Sequence, residues 1–200
     1  MWLIAGLGNP GVKYDQTRHN AGFWFVEELA RKAGASLGAN RRLHGRAVKT
    51  EFADCAMVLL APDTFMNESG QSLRAATDFY RIRASRVLVA HDELDLQPGI
   101  VRLKKDGGHG GHNGLRSSFS HLNTPDFWRL RIGIGHPGIA SQVTPWVLSR
   151  APAEDQRLID DSIDRSIAVM PDFLNDRAND AMKILHAKPK PADSSASPAK

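Results

Sequence analysis

Trp2-Leu3-Ile4-Ala5-Gly6-Leu7-Gly8-Asn9-Pro10-Gly11 opens the chain with a short apolar run halted by a strong turn signal. The run reads as a buried strand. Beyond it, Phe23, Val26, Leu29, Ala30 and Ala33 recur at helical spacing, and Gly34 ends that helix. Residues 47–52 and 56–61 read as paired strands around Ala53-Asp54, with Pro62 closing the second. Residues 68–80 read as a helix. Residues 87–90 form a short buried strand running into His91-Asp92-Glu93, and 100–103 another. Residues 115–122 read as a helix, and 128–134 alternate as a strand does. Strands alternating with helices predict an α/β fold, a single domain built on a twisted, mixed and mostly parallel sheet with helices on both faces.

Further along, Ile159, Ile163, Ile167, Met170 and Leu174 form an apolar helical stripe that Pro171 interrupts, so a break is expected near Met170. A second helix is expected over 175–186. Residues 188–200 are low in complexity and lack apolar anchors, which predicts a disordered tail after a domain spanning 1–187.

The chain of 200 residues has one cysteine, Cys55, which rules out an internal disulfide framework and fits a reducing compartment. Cys55 adjoins the apolar Ala56-Met57-Val58-Leu59-Leu60, so a buried thiol is expected rather than a nucleophile. No apolar run approaches a membrane span. The N-terminus reads as a first strand rather than a signal peptide, and a cytoplasmic location is expected. Net charge is +4, unevenly distributed. Residues 31–49 hold six bases and no acid, residues 100–131 six bases against two acids, and residues 151–187 eight acids against four bases. This polarity suits a polyanionic partner, although solvated faces of ordinary elements produce similar counts.

Ligands of such sheets gather at the carboxyl ends of strands. Three polar clusters are expected there: Asn9, Asp92 and the loop Gly107-Gly108-His109-Gly110-Gly111-His112-Asn113-Gly114. Five glycines in eight residues are entropically expensive scaffold and suit close approach to a ligand. The loop lacks the lysine and Ser/Thr of a P-loop and the acidic residue of a dinucleotide fingerprint. A metal site from His109, His112 and Asp92 is conceivable, but histidines separated by two glycines lack rigid helical presentation. His19, near a helix N-terminus, is either a polar cap or a general base acting on water, with Asp92 as its carboxylate partner. No Gly-x-Ser-x-Gly elbow is present. Asn67 is either the N-cap of the next helix or a binder of a peptide-like group. Phe65 and Met66 are either core residues or an apolar substrate wall.

Taken in order, Gly6-Leu7-Gly8-Asn9-Pro10-Gly11, Tyr14-x-x-Thr17-Arg18-His19-Asn20-x-Gly22, Pro62-x-Thr64-Phe65-Met66-Asn67-x-Ser69-Gly70, His91-Asp92-Glu93-Leu94-Asp95, His112-Asn113-Gly114-Leu115 and Arg129-Leu130-Arg131-Ile132-Gly133-Ile134-Gly135 resemble the bacterial peptidyl-tRNA hydrolases. The resemblance spans residues 2 to about 186 and implies hydrolysis of the ester joining a peptide to the terminal ribose of tRNA, recycling tRNA from translation. It implies that His19 is catalytic with Asp92 as partner. Asn9, Asn67 and Asn113 would bind substrate and position water, and Lys104 and Arg131 would hold a tRNA phosphate. Substrate contact is further expected at Tyr14, Asn20, Phe65, Met66, Gly110, Gly111 and His112. No metal or organic cofactor and no membrane partner are implied, and the expected state is a monomer. Two departures stand out. Ser118 occupies a normally apolar position, and Pro171 falls within a late helix. Rival readings are an RNA-binding factor without turnover, a nucleotide-binding α/β enzyme and an esterase of small molecules.

Overall fold

The opening apolar run becomes β1 (Trp2–Gly6), buried along its whole length. It is followed by α1 (Ala21–Lys32), β2 (Gly38–Asn40), β3 (Gly45–Phe52), β4 (Cys55–Pro62), α2 (Ser69–Tyr80), β5 (Val87–Glu93), β6 (Val101–Lys105), α3 (Asn113–Leu122) and β7 (Trp128–Gly133). The chain continues through α4 (Val143–Val147), α5 (Ala153–Ala168), α6 (Met170–Leu174) and α7 (Ala178–His186). These elements come from a computed structural model that describes residues 1–187, so the tail expected at 188–200 lies outside the described residues.

The strands form one sheet in the order β2-β3-β4-β1-β5-β7-β6. β1 pairs in parallel with β4 and β5, and β5 with β7. The antiparallel pairs β2–β3, β3–β4 and β6–β7 lie toward the margins. The sheet is therefore mixed, with only β3 and β6 reversed. Alternate residues of the central strands feed two cores. Leu3, Ala5, Val58, Leu60, Val87 and Val89 pack beneath α2 and α3. Ile4, Leu59, Leu88, Ala90, Leu130 and Ile132 pack beneath α1 and α5–α7.

α1 lies against β1 and β5 so closely that a Cβ on Gly22 would overlap the Ala90 carbonyl and the Leu7 backbone. Gly22→Ala is expected to destabilise the fold by about 1–3 kcal/mol, read as a lower urea midpoint at unchanged m-value. An unchanged midpoint would mean that the interface relaxes freely.

Most elements lie where the sequence pattern places them, with three instructive differences. β5 continues through His91, Asp92 and Glu93, because these residues pair with Arg131, Ile132 and Gly133 of β7. Asp92 is thus held in a strand rather than following one. α7 starts at Ala178, later than expected, after Asp176 adopts φ 64° beyond the end of α6. Pro171 sits in the first turn of α6, where a missing N–H is tolerated, so the break falls next to Met170 as expected. Ser118 is buried, and its hydroxyl donates to the Gly114 carbonyl at 2.7 Å, which satisfies the polar group where the resemblance leads one to expect an apolar residue.

The largest difference concerns the glycine loop. β6 runs antiparallel to β7, so its carboxyl end lies at the opposite end of the sheet from Asp92. Lys105 pairs with Trp128, which is level with Leu88. That is four residues, or about 13 Å, short of Asp92. Residues 106–112 must therefore climb across the sheet to return to the site. Positive φ at Asp106, Gly107, Gly110 and Gly111 makes that path possible.

Candidate active site

His19 sits in the 3₁₀ turn Arg18–Asn20 that leads into α1, and Asp92 is the penultimate residue of β5. His19 Nδ1 lies 2.9 Å from both carboxylate oxygens of Asp92. Asp92 is buried. Burial alone would raise its pKa, but the imidazoles of His19 and His112 hold it well below the usual carboxylate range. The ionised carboxylate takes the Nδ1–H of His19 and leaves Nε2 as the basic lone pair. Burial lowers the pKa of His19, yet the charge and hydrogen bond of Asp92 outweigh it and raise the pKa above its ordinary 6.5.

His112 closes the other side of this carboxylate. Its Nδ1 accepts the backbone N–H groups of Gly114 and Leu115 at 3.1 and 3.3 Å, making it the N-cap of α3. With that lone pair occupied, the neutral ring carries its proton on Nε2, which donates to Asp92 Oδ1 at 2.8 Å. Both ring nitrogens are committed within the protein, so His112 ties α3 to Asp92. His91 lies beneath it, ring centroids 4.9 Å apart. Burial, then the neighbouring His112, pushes the His91 pKa down to about 3, which keeps it neutral.

His19, Asp92 and His112 bring their ligand-type atoms within 4.8 Å of one another. This donor set fits a metal poorly, because coordination through His112 Nε2 would displace its proton while the cap blocks Nδ1. His109 stands apart, with Nδ1 accepting the Gly111 amide and its ring against Phe119.

Asn9 follows β1. Its Oδ1 accepts the Met66 amide at 2.8 Å, so Nδ2 is its free end among the described residues. Asn20 is buried and exchanges two hydrogen bonds with the Asn9 backbone, at 2.8 and 3.0 Å. It shapes the Asn9 loop. Asn67 lies exposed in the turn Met66–Glu68, and Asn113 is exposed at the start of α3 with Oδ1 accepting from Arg116. Met66 is buried against Gly114, whereas Phe65 is 54% exposed. Tyr14 is half-buried, with Lys13 over its ring.

A cavity of about 400 Å³ joins His19, Asp92, His112, Asn113, Gly110 and Gly111 to Lys104 and Arg131. Asn9 and Asn20 line a neighbouring hollow with Phe23, Trp24 and Arg46. Tyr14, Phe65, Met66 and Asn67 line neither. Arg131 donates from Nε to Glu93 at 2.8 Å. Across the β6–β7 register, Arg102 pairs with Arg131 and Lys104 with Arg129, so four cations share one sheet face.

Sequence reasoning missed one wall of the cavity, Val143, Thr144 and Val147 of α4. It also missed the anchor of that wall, since Arg18 Nη1 donates to the carbonyls of Trp146, Ser149 and Arg150 and to the Ser149 hydroxyl. Two apolar residues separated by Pro145 in a five-residue helix give little periodic signal. The alternation in Val101-Arg-Leu-Lys104 and Arg129-Leu-Arg131 was a readable sign of the cationic face.

The peptidyl-tRNA hydrolase family model matches residues 3–193. The chain is 53% identical over 186 residues to the peptidyl-tRNA hydrolase of Acidithiobacillus ferrooxidans, covering 93% of this chain and 98% of that protein. It is 51% identical over 187 residues to that of Pseudomonas fluorescens, covering 93% and 96%. The crystal structure of peptidyl-tRNA hydrolase from Acinetobacter baumannii superposes with a TM-score of 0.91 at 48% identity, covering 94% of this chain and 95% of that one. A family match over nearly the whole chain, with the same fold, places this protein in the peptidyl-tRNA hydrolase family.

Proposed function

We propose that the chain hydrolyses the ester between peptide and tRNA in peptidyl-tRNA, with His19 as general base. The observation that carries this reading is the clamp of Asp92 on His19 Nδ1, which leaves Nε2 free beside a cavity shared with Asn113. His19 Nε2 takes a proton from water as the water oxygen attacks the ester carbonyl, and Asp92 stabilises the imidazolium. Asn9 Nδ2, Asn113 and loop amides hold the water and the developing oxyanion. Such a donor is worth about 3 kcal/mol in comparable sites. Collapse of the tetrahedral intermediate breaks the bond to the ribose oxygen, which receives the proton from His19. Peptide acid and tRNA leave. Asn67 and Phe65, both exposed, contact the peptide, whereas His112, Asn20 and Met66 act by holding Asp92, Asn9 and Gly114.

The reading includes a monomer, since one chain supplies the whole constellation, and a cytoplasmic location, where translation provides the substrate. It includes no metal or organic cofactor, which the committed nitrogens of His112 support. No helix of the described residues is long and apolar enough to cross a membrane.

The chemistry is tested by hydrolysis of N-acetyl-aminoacyl-tRNA in ¹⁸O-labelled water. One label in the released carboxylate, unlabelled tRNA and no pre-steady-state burst are expected. A burst would instead indicate an acyl-enzyme.

Lys104→Ala and Arg131→Ala are each expected to raise KM for the tRNA substrate and to reduce the salt slope by about one. Unchanged slopes would place the RNA elsewhere.

A further inference from the structure

The strands that carry the site run across the sheet in the order β4, β1, β5, β7, β6. Asp92 of β5 stands in the middle. Arg131 and Lys104 lie to one side of it, on β7 and β6. On the other side Asn9 follows β1 and Asp63 follows β4. The hollow on that second side, about 310 Å³, is lined by charge of the opposite sign: Asp15, Glu27 and Asp63 share it with one cation, Arg46. Arg46 lies 2.8 Å from Glu27 and 3.8 Å from Asp63, while Asp15 has no ion-pair partner among the described residues. Three exposed carboxylates against one guanidinium leave the hollow with a surplus of negative charge.

Acid-rich surface alone is ordinary. This hollow also holds aromatic surface and an unused buried amide. Trp24 is half-buried and donates from Nε1 to the Asp15 carbonyl at 2.8 Å, which holds the indole beside that residue. Asn9 is 7% exposed and lines the hollow, and its Nδ2 has no partner among the described residues. Asn20, the residue after His19, lines it as well, so the hollow adjoins the candidate base. Carboxylates beside an aromatic wall suit an ammonium or guanidinium. Arg46 already takes such a position, its guanidinium 5.6 Å from the centre of the Phe23 ring.

We propose that this hollow, walled by Asp15, Trp24, Glu27 and Asp63, is a peptide subsite that takes a cationic side chain on the residue preceding the esterified one. This rests on the hydrolase reading and adds to it a preference for one class of peptide side chain. β4 is two strands from β5, or about 10 Å. One Cα step of about 3.8 Å and a long side chain cover that distance. RNA phosphate and peptide cation then bind on opposite flanks of Asp92, so the charge of the two flanks sets the direction in which the substrate lies across the sheet.

The test uses the full chain and three substrates that share one tRNA and one esterified alanine: N-acetyl-lysyl-, N-acetyl-glutaminyl- and N-acetyl-glutamyl-alanyl-tRNA. Acetylation removes the terminal ammonium, so the side chain is the peptide's only possible cation. At low salt kcat/KM is expected to be about fivefold higher for the lysyl than for the glutaminyl substrate, and lowest for the glutamyl one. The spread should narrow as salt rises, because the carboxylates are exposed. In Asp15→Asn/Asp63→Asn the lysyl-to-glutamyl ratio should fall to within about twofold of unity. Asp15→Lys should reverse the order and favour the glutamyl substrate, a change that loss of shape alone does not produce. Equal rates on all three substrates would overturn the proposal, and so would a lysyl preference that survives both variants. Titration of the parent protein with the peptides N-acetyl-lysyl-alanine and N-acetyl-glutamyl-alanine, followed at the Trp24 indole N–H resonance, reads the subsite without turnover. The lysyl peptide should shift that resonance at the lower concentration. Identical titrations contradict the subsite alone, whereas preferential binding of the lysyl peptide by a protein that cleaves none of the three esters contradicts the hydrolase reading alone.

Discussion

His19→Ala lowers turnover of N-blocked aminoacyl-tRNA by about 10²–10⁴-fold or more, with tRNA affinity retained. The expectation follows from where the imidazole stands. Its Nδ1 is held by a buried carboxylate, and Nε2 is the basic atom directed away from that contact. The cations assigned to RNA, Lys104 and Arg131, lie on β6 and β7 and do not depend on His19 for their position. Removing the ring therefore removes the proton acceptor and leaves the phosphate contacts in place. The effect should fall on kcat, with the salt slope of KM unchanged. Near-normal turnover would exclude His19 as the base, and both nitrogens of His112, the imidazole on the other side of Asp92, are committed.

Asp92→Asn should cut kcat by a comparable factor and also move the pH profile. In the parent protein the acidic limb of kcat/KM reports deprotonation of His19. Asp92 raises that pKa above 6.5 against the opposing effect of burial, so the limb lies above pH 6.5. Once the carboxylate charge is removed, burial remains and disfavours the imidazolium, so the limb should move to lower pH. A limb that stays put, or moves upward, would show that Asp92 does not govern His19. The same pair sets a window of stability. The depressed pKa of Asp92 stabilises the fold above the ordinary carboxylate value of 3.8, and this is lost as pH falls through the folded-state value. The raised pKa of His19 stabilises the fold below 6.5, and this is lost as pH rises through its folded-state value. The ion pair therefore contributes most between these two ordinary values.

How far the chain can be read without coordinates depends on whether the deciding contacts are local. β1, β3–β4 and α1–α3 follow from apolar periodicity and turn residues, and they appear within a few residues of expectation. The direction of β6 is another matter. It depends on a pairing with β7 across the 22 intervening residues 106–127, and no local signal in Val101-Arg-Leu-Lys-Lys105 states which way that strand runs. The error propagates to function. The sequence pattern places the glycine loop at a strand's carboxyl end beside the other two polar clusters, whereas it starts at the far end of the sheet and climbs to the site. His112 illustrates a second limit. Its residue type and neighbours suggested contact with substrate, but only the geometry reveals that one nitrogen caps α3 and the other grips Asp92. Asn20 likewise looks like a binding amide in the sequence and exchanges two hydrogen bonds with the Asn9 backbone in the fold. Polar groups whose partners are distant backbone atoms cannot be sorted into binders and braces by spacing alone. The pairing of His19 with Asp92, by contrast, was legible, because a histidine without a nearby nucleophile needed a carboxylate from another strand end.

Cleavage of the peptidyl-tRNA ester is measured by giving the purified protein N-acetyl-aminoacyl-tRNA beside the free aminoacyl-tRNA. Catalytic release of the acyl group is expected from the N-blocked substrate, with little release from the free one. Absence of release from the N-blocked substrate, while the protein still binds that tRNA, would exclude the hydrolase reading and leave an RNA-binding factor in its place.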